Sequence, residues 1–94
     1  MKSNLETRSL IVHGRVQGVG FRKWVKIKCD SLNITGKVWN TNDMKVELIA
    51  SGKSKNLDKL FELCLSGPIL SKVTKIDIKK INYEKSDSFE IIFL

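Results

Sequence analysis

Apolar and polar positions along the chain change period several times, and each change marks an element. Arg8–Gly14 (RSLIVHG) has an apolar centre, Leu10–Ile11–Val12, and predicts a first strand. From Arg22 to about Leu32 the spacing becomes helical: Val25, Cys29 and Leu32 recur on one face, with Phe21 a turn ahead of Val25, while Lys23, Lys26 and Lys28 face mostly outward. Gly36 then opens a second strand, Lys37–Thr41, and Asn42–Asp43 signals a turn. Met44–Ala50 (MKVELIA) alternates as a half-buried strand, and Ser51–Ser54 reads as a loop. Leu57, Leu60, Phe61, Cys64 and Leu65 predict an amphipathic helix over Lys55–Leu65, stopped by Gly67–Pro68. Alternation returns in Lys72–Ile81, with Ile76 and Ile78 on one face, and in a short last strand, Phe89–Phe93, with Phe89, Ile91 and Phe93 on one side.

The order is β-α-β-β-α-β plus a short fifth strand. It predicts an α+β fold of the ferredoxin-like kind, an antiparallel sheet with both helices on one face. A helical crossover between strands 1 and 2 makes them parallel, so they end at the same edge of the sheet. The loop after strand 1 (15–21) and the end of strand 2 (39–42) are therefore expected to converge.

Composition narrows the picture. A chain of 94 residues with 41% apolar content supports one compact domain over 1–94. Cys29 and Cys64 are too few for a disulfide framework and read as buried free thiols; with a single histidine they do not form a zinc ligand set. The N-terminal ten residues, MKSNLETRSL, hold no continuous apolar run, and no segment approaches the ~20 apolar residues of a membrane span, so a cytoplasmic protein without membrane contact is expected. Seventeen basic against ten acidic residues, a net charge of +7, favour anionic partners without choosing among them.

The segment Gly14–Arg22, GRVQGVGFR, narrows that choice. Glycines let a loop curl around an anion, amides near a helix start are unpaired, and Arg22 adds a planar fork matched to phosphate oxygens. The run is neither GxxxxGK[ST] nor GxGxxG, and Val16 stands where a Cys-x5-Arg phosphatase loop would carry its nucleophile.

This nine-residue run resembles the acylphosphatase signature G-x-V-Q-G-V-x-F-R, and Gly36–Asp43 (GKVWNTND) resembles that family's second motif, G-x-V-x-N-x-x-D-G-x-V. Gly67–Pro68 and Val73 resemble a further G-P…V element. The resemblance implies hydrolysis of the carboxyl–phosphate anhydride of acyl phosphates to a carboxylate and inorganic phosphate, with no metal and no cofactor. Arg22 would bind the phosphoryl group, aided by backbone amides of Arg15, Val16, Gln17, Gly18, Val19, Gly20 and Phe21, and Asn40 would orient the attacking water. Inorganic phosphate is then an expected inhibitor, and a monomer with no specific nucleic-acid partner is expected. Met44 departs from the motif, which has glycine after the aspartate; a turn shifted onto Asn42 and Asp43 is expected.

A basic ferredoxin-like nucleic-acid-binding module is the competing reading. Such domains carry stacking aromatics on their central strands, whereas strand 3 here has none and strand 1 offers only His13. His13 itself reads as an ordinary strand residue, and Trp24 and Trp39 as packing or rim residues.

Overall fold

A computed structural model describes residues 4–94. Met1–Ser3, the first part of the segment read for a leader, lie outside the described residues. The elements are β1 (Leu5–Arg15), α1 (Phe21–Ser31), β2 (Thr35–Asn40), β3 (Val46–Lys53), α2 (Ser54–Ser66), β4 (Lys72–Ile81) and β5 (Phe89–Ile91). They form a five-stranded sheet in the order β4-β1-β3-β2-β5. β3 pairs antiparallel with both β1 and β2, so β1 and β2 run parallel on either side of it.

One pairing departs from a purely antiparallel sheet. β5 lies parallel to β2, with Gly36 opposite Phe89 and Val38 opposite Ile91. The chain reaches that outer edge only after β4 has closed the other edge, so it enters β5 in the same direction as β2. Ile92 N–H still donates to Val38 O at 2.8 Å, extending the pairing one residue further.

Alternation decides which side chains enter the core. Leu10 and Val12 of β1, Val38 of β2 and Val46, Leu48 and Ala50 of β3 meet Phe21, Val25 and Cys29 of α1 and Leu57, Leu60 and Cys64 of α2. Phe89 and Ile34 close the layer. Desolvation pushes the Cys64 thiol up to about 12 and raises that of Cys29 as well, so both are inert apolar packing. Ile76 and Ile78 sit opposite Val12 and Leu10 on this face, yet Ile78 stays largely exposed because β4 is an edge strand.

Several boundaries differ from the sequence reading, two of them with a clear physical cause. β3 runs through Ser51–Lys53 straight into α2, with no loop. Ser51 is buried because its hydroxyl joins Thr7 Oγ1 at 2.6 Å and donates to Glu84 O at 2.7 Å, while Glu84 N–H donates to Thr7 Oγ1 at 2.7 Å. That network fastens the 82–88 segment over the far end of the open sheet face. Met44 is not part of β3 and is 65% exposed. The hairpin turn has not shifted away from it: Met44 itself takes a left-handed conformation, φ 69°. Its side chain points to solvent, and the surrounding turn is over-determined by hydrogen bonds. Thr41 N–H donates to Lys45 O at 2.9 Å, Lys45 N–H to Thr41 Oγ1 at 3.0 Å, and Lys45 Nζ to Asp43 Oδ2 at 2.7 Å. These bonds outweigh a backbone cost of about 1 kcal/mol for a non-glycine residue in that region.

Met44→Gly should therefore stabilise the fold by about 0.5–1 kcal/mol, read as a raised urea midpoint at unchanged slope. A loss of stability would show that the left-handed turn carries no strain.

Candidate active site

The parallel run of β1 and β2 delivers the 16–20 loop and Asn40 to one edge of the sheet. There a hollow of about 230 Å³ is lined by Val16, Gly18, Gly20, Phe21, Arg22, Lys23, Asn40, Ile91 and Phe93. It is smaller than the ~300–1,000 Å³ typical of drug-sized sites and suits a small anion with a short appendage.

Local backbone chemistry makes the anion-binding half of this hollow. Gly18 (φ 73°) and Gly20 (φ 78°) hold left-handed conformations, and a Cβ on either would meet no atom within 4 Å. Glycine is thus required for backbone angle rather than for space. Gly20 is also the N-cap of α1, and no side chain caps that end. The first helical bond is Trp24 N–H to Gly20 O at 3.0 Å, which leaves the amides of the first turn without partners in the helix. No described residue accepts from the amides of Gln17–Gly20. Unpaired amides and the positive end of a helix converge on one spot.

Arg22 stands at the start of α1, half-buried, with no carboxylate within ion-pair distance among the described residues. Its Cζ lies 5.2 Å from the centre of the Phe93 ring. Phe21 beside it is 1% exposed and anchors the loop in the core, its ring 5.5 Å from that of Trp24. Gly67 (φ 67°) permits this anchor from below: a Cβ there would stand 2.9 Å from Phe21 Cε2.

Asn40 ends β2 on the same face as Val38, toward the helices, while Trp39 points to the open face. Asn40 Oδ1 is buried, and no group of the described residues donates to it. Such an atom costs about 1–3 kcal/mol unless a donor reaches it.

Of the loop residues named from the motif, the structure brings Val16, Gly18, Gly20 and Phe21 to the hollow with Arg22 and Asn40. Arg15 is instead the last residue of the β1–β4 ladder, opposite Lys72, and Val19 packs against the core. Gln17 turns its side chain away from the hollow. Its Nε2 donates to Thr41 O and to Lys45 O, each at 2.9 Å, so both amide protons bridge the loop to the β2–β3 hairpin. Sequence reasoning counted only its backbone; nothing local reveals two carbonyls more than twenty residues away. Lys23, Ile91 and Phe93 were also unassigned, although the alternation of 89–93 already set Ile91 and Phe93 on one side. His13 does not line the hollow; its Nε2 lies 2.8 Å from Asp77 Oδ2. No group of three or more His, Cys, Asp or Glu among the described residues could hold a metal ion, and no described helix is long and apolar enough to cross a membrane.

The acylphosphatase family model matches residues 8–91. The chain belongs to the acylphosphatase family. An acylphosphatase of Helicobacter hepaticus is 40% identical, over 87% of this chain and 92% of that one. Among solved structures, an acylphosphatase from Coxiella burnetii superposes with a TM-score of 0.92 at 32% identity, covering 95% of this chain and 94% of the other. That of Bacillus subtilis gives 0.90 at 37% identity, covering 94% and 98%. Family membership makes the chain a hydrolase acting on acyl phosphates.

Two predictions follow from the hairpin that carries Asn40 in this acylphosphatase. Gln17→Glu keeps the side chain's shape but sets a carboxylate against two carbonyls. It should cost about 1–3 kcal/mol in denaturant unfolding and lower kcat on an acyl phosphate, with inorganic phosphate binding less affected. Hydrogen bonds from Lys45 and Thr41 draw the Asp43 carboxyl down to about 2. Its contribution is thus fully present above the ordinary carboxylate pKa near 4 and lost as pH falls toward 2; NMR titration of the Asp43 side chain should show that midpoint.

Proposed function

We propose that the hollow splits the phosphorus–oxygen bond of a carboxyl–phosphate anhydride, with Arg22 and the loop amides holding the phosphoryl group and Asn40 orienting the water. One observation carries this reading: a buried Asn40 Oδ1 with no donor among the described residues shares a hollow with a guanidinium that no described carboxylate neutralises. The Asn40 oxygen accepts a hydrogen bond from the water and so aims the water's lone pair at phosphorus. Asn40 abstracts nothing. As the new P–O bond forms, the bond to the acyl oxygen breaks and the carboxylate departs. A carboxylate is a weak base, so no general acid is needed. The water's proton passes to a non-bridging phosphoryl oxygen, giving dihydrogen phosphate and conserving charge. Arg22, Lys23 and the first-turn amides of α1 stabilise the equatorial oxygens, where the transition state concentrates charge.

In this reading residues 1–94 make up one acylphosphatase domain, cytoplasmic and monomeric. It works without a metal, is inhibited by its product phosphate and has no specific nucleic-acid partner. The open face of the two central strands supports the last point, since β1 and β3 present Ile11, His13, Glu47 and Ile49 there rather than aromatics.

Benzoyl phosphate hydrolysis, followed in the ultraviolet with EDTA present, tests the reading. Wild type should turn over, and Arg22→Gln and Asn40→Ala should each lose at least about a hundredfold in kcat/KM with unchanged circular dichroism. Phosphate should inhibit competitively, and oligonucleotides should interfere only at low salt. In isotopically labelled water the label should enter phosphate. Label in benzoate, or full activity of either variant, overturns the mechanism.

A further inference from the structure

The hollow has two unlike halves. Gly18, Gly20, Arg22 and Asn40 form the polar half that the proposed mechanism uses. Ile91 and Phe93 form the other half, and phosphoryl transfer has no use for them. Along 89–93 the apolar side chains step outward: Phe89 is 1% exposed, Ile91 packs against the core, and Phe93 is 77% exposed. Phe93 therefore owes its position to no core packing. The Ile92 N–H to Val38 O bond fixes the backbone next to it and holds the ring at the mouth of the hollow.

We infer that Phe93, backed by Ile91, is the acyl-group subsite and tunes the enzyme toward acyl phosphates with apolar, above all aromatic, acyl groups. This rests on the phosphoryl site proposed above. The Phe93 ring faces Arg22 with 5.2 Å between ring centre and Cζ. A guanidinium binds phosphate oxygens through its N–H edge and an aromatic ring through its flat face, so the two engagements are compatible. Only the bridging oxygen separates phosphorus from the acyl carbon. With the phosphoryl group on Arg22, the acyl group must extend out of the polar half of the hollow. Ile91 and Phe93 supply the apolar wall available to it. A planar acyl group lies offset against the ring; a small acyl group such as acetyl reaches little of it. A carboxylate-bearing acyl group finds no added donor there.

The test compares benzoyl and acetyl phosphate as substrates of wild type and of Phe93→Ala and Phe93→Leu, with the inhibition constant of inorganic phosphate measured for each. Phe93 is exposed and outside the core, so folding should survive both changes. The benzoyl-to-acetyl ratio of kcat/KM should fall about three- to tenfold in Phe93→Ala, through the benzoyl arm, and by less in Phe93→Leu, while the phosphate inhibition constant moves less than twofold. An unchanged ratio overturns the subsite. So does an equal loss on both substrates with weakened phosphate inhibition, since Phe93 would then act only by holding Arg22. Wild type inert on both substrates would instead defeat the phosphoryl-site reading.

Discussion

The parallel run of β1 and β2, with β3 between them, constrains everything else in the molecule. Parallel strands cannot be joined by a tight turn, so α1 must carry the chain back across one face of the sheet. Its N-terminus is then compelled to lie at the edge where β2 ends. From this one constraint come the uncapped helix start, the glycine loop that feeds it and the nearness of both to Asn40. The Gln17 bridge turns that nearness into a fixed geometry. Its two donors occupy carbonyls on either side of the hairpin turn and so tie the loop to the end of β2.

Charge placement follows a single logic. Several acidic residues are already engaged with cations: Asp43 with Lys45, Asp77 with His13, and Glu6 and Asp58 with Arg8. None of them lines the hollow, where Arg22 and Lys23 stand beside unpaired amides. A carboxylate there would neutralise Arg22 and repel a phosphoryl dianion. The reaction does not need one, because its leaving group is already a stable anion. In the proposed mechanism the carboxamide oxygen of Asn40 is the partner for water, orienting it without contributing charge.

Much of this was legible in the chain itself. The helical spacing of Phe21, Val25 and Cys29, the alternation Val46, Leu48, Ala50 and the stop at Gly67–Pro68 describe the core and both helices, because burial against a sheet imposes its period directly on sequence. The motif resemblance singled out Arg22 and Asn40, which the fold brings to one hollow, and the glycine run GVG marked the left-handed backbone at Gly18 and Gly20. The parallel direction of β5, the uninterrupted passage from β3 into α2 and the outward path of Arg15 were not, for they depend on which edge of the sheet remains free and on pairing partners distant in the chain.

By itself, the sequence determined which residues could serve an anion and which faces had to be buried, because both are local matters of chemistry and period. The tertiary structure alone decided that Gln17 spends its side chain on a distant hairpin, that Met44 accepts a left-handed conformation and that Phe93 stands over Arg22. Each of these is a contact or a compensation between segments far apart in the chain, and its energy exists only once the fold has brought them together.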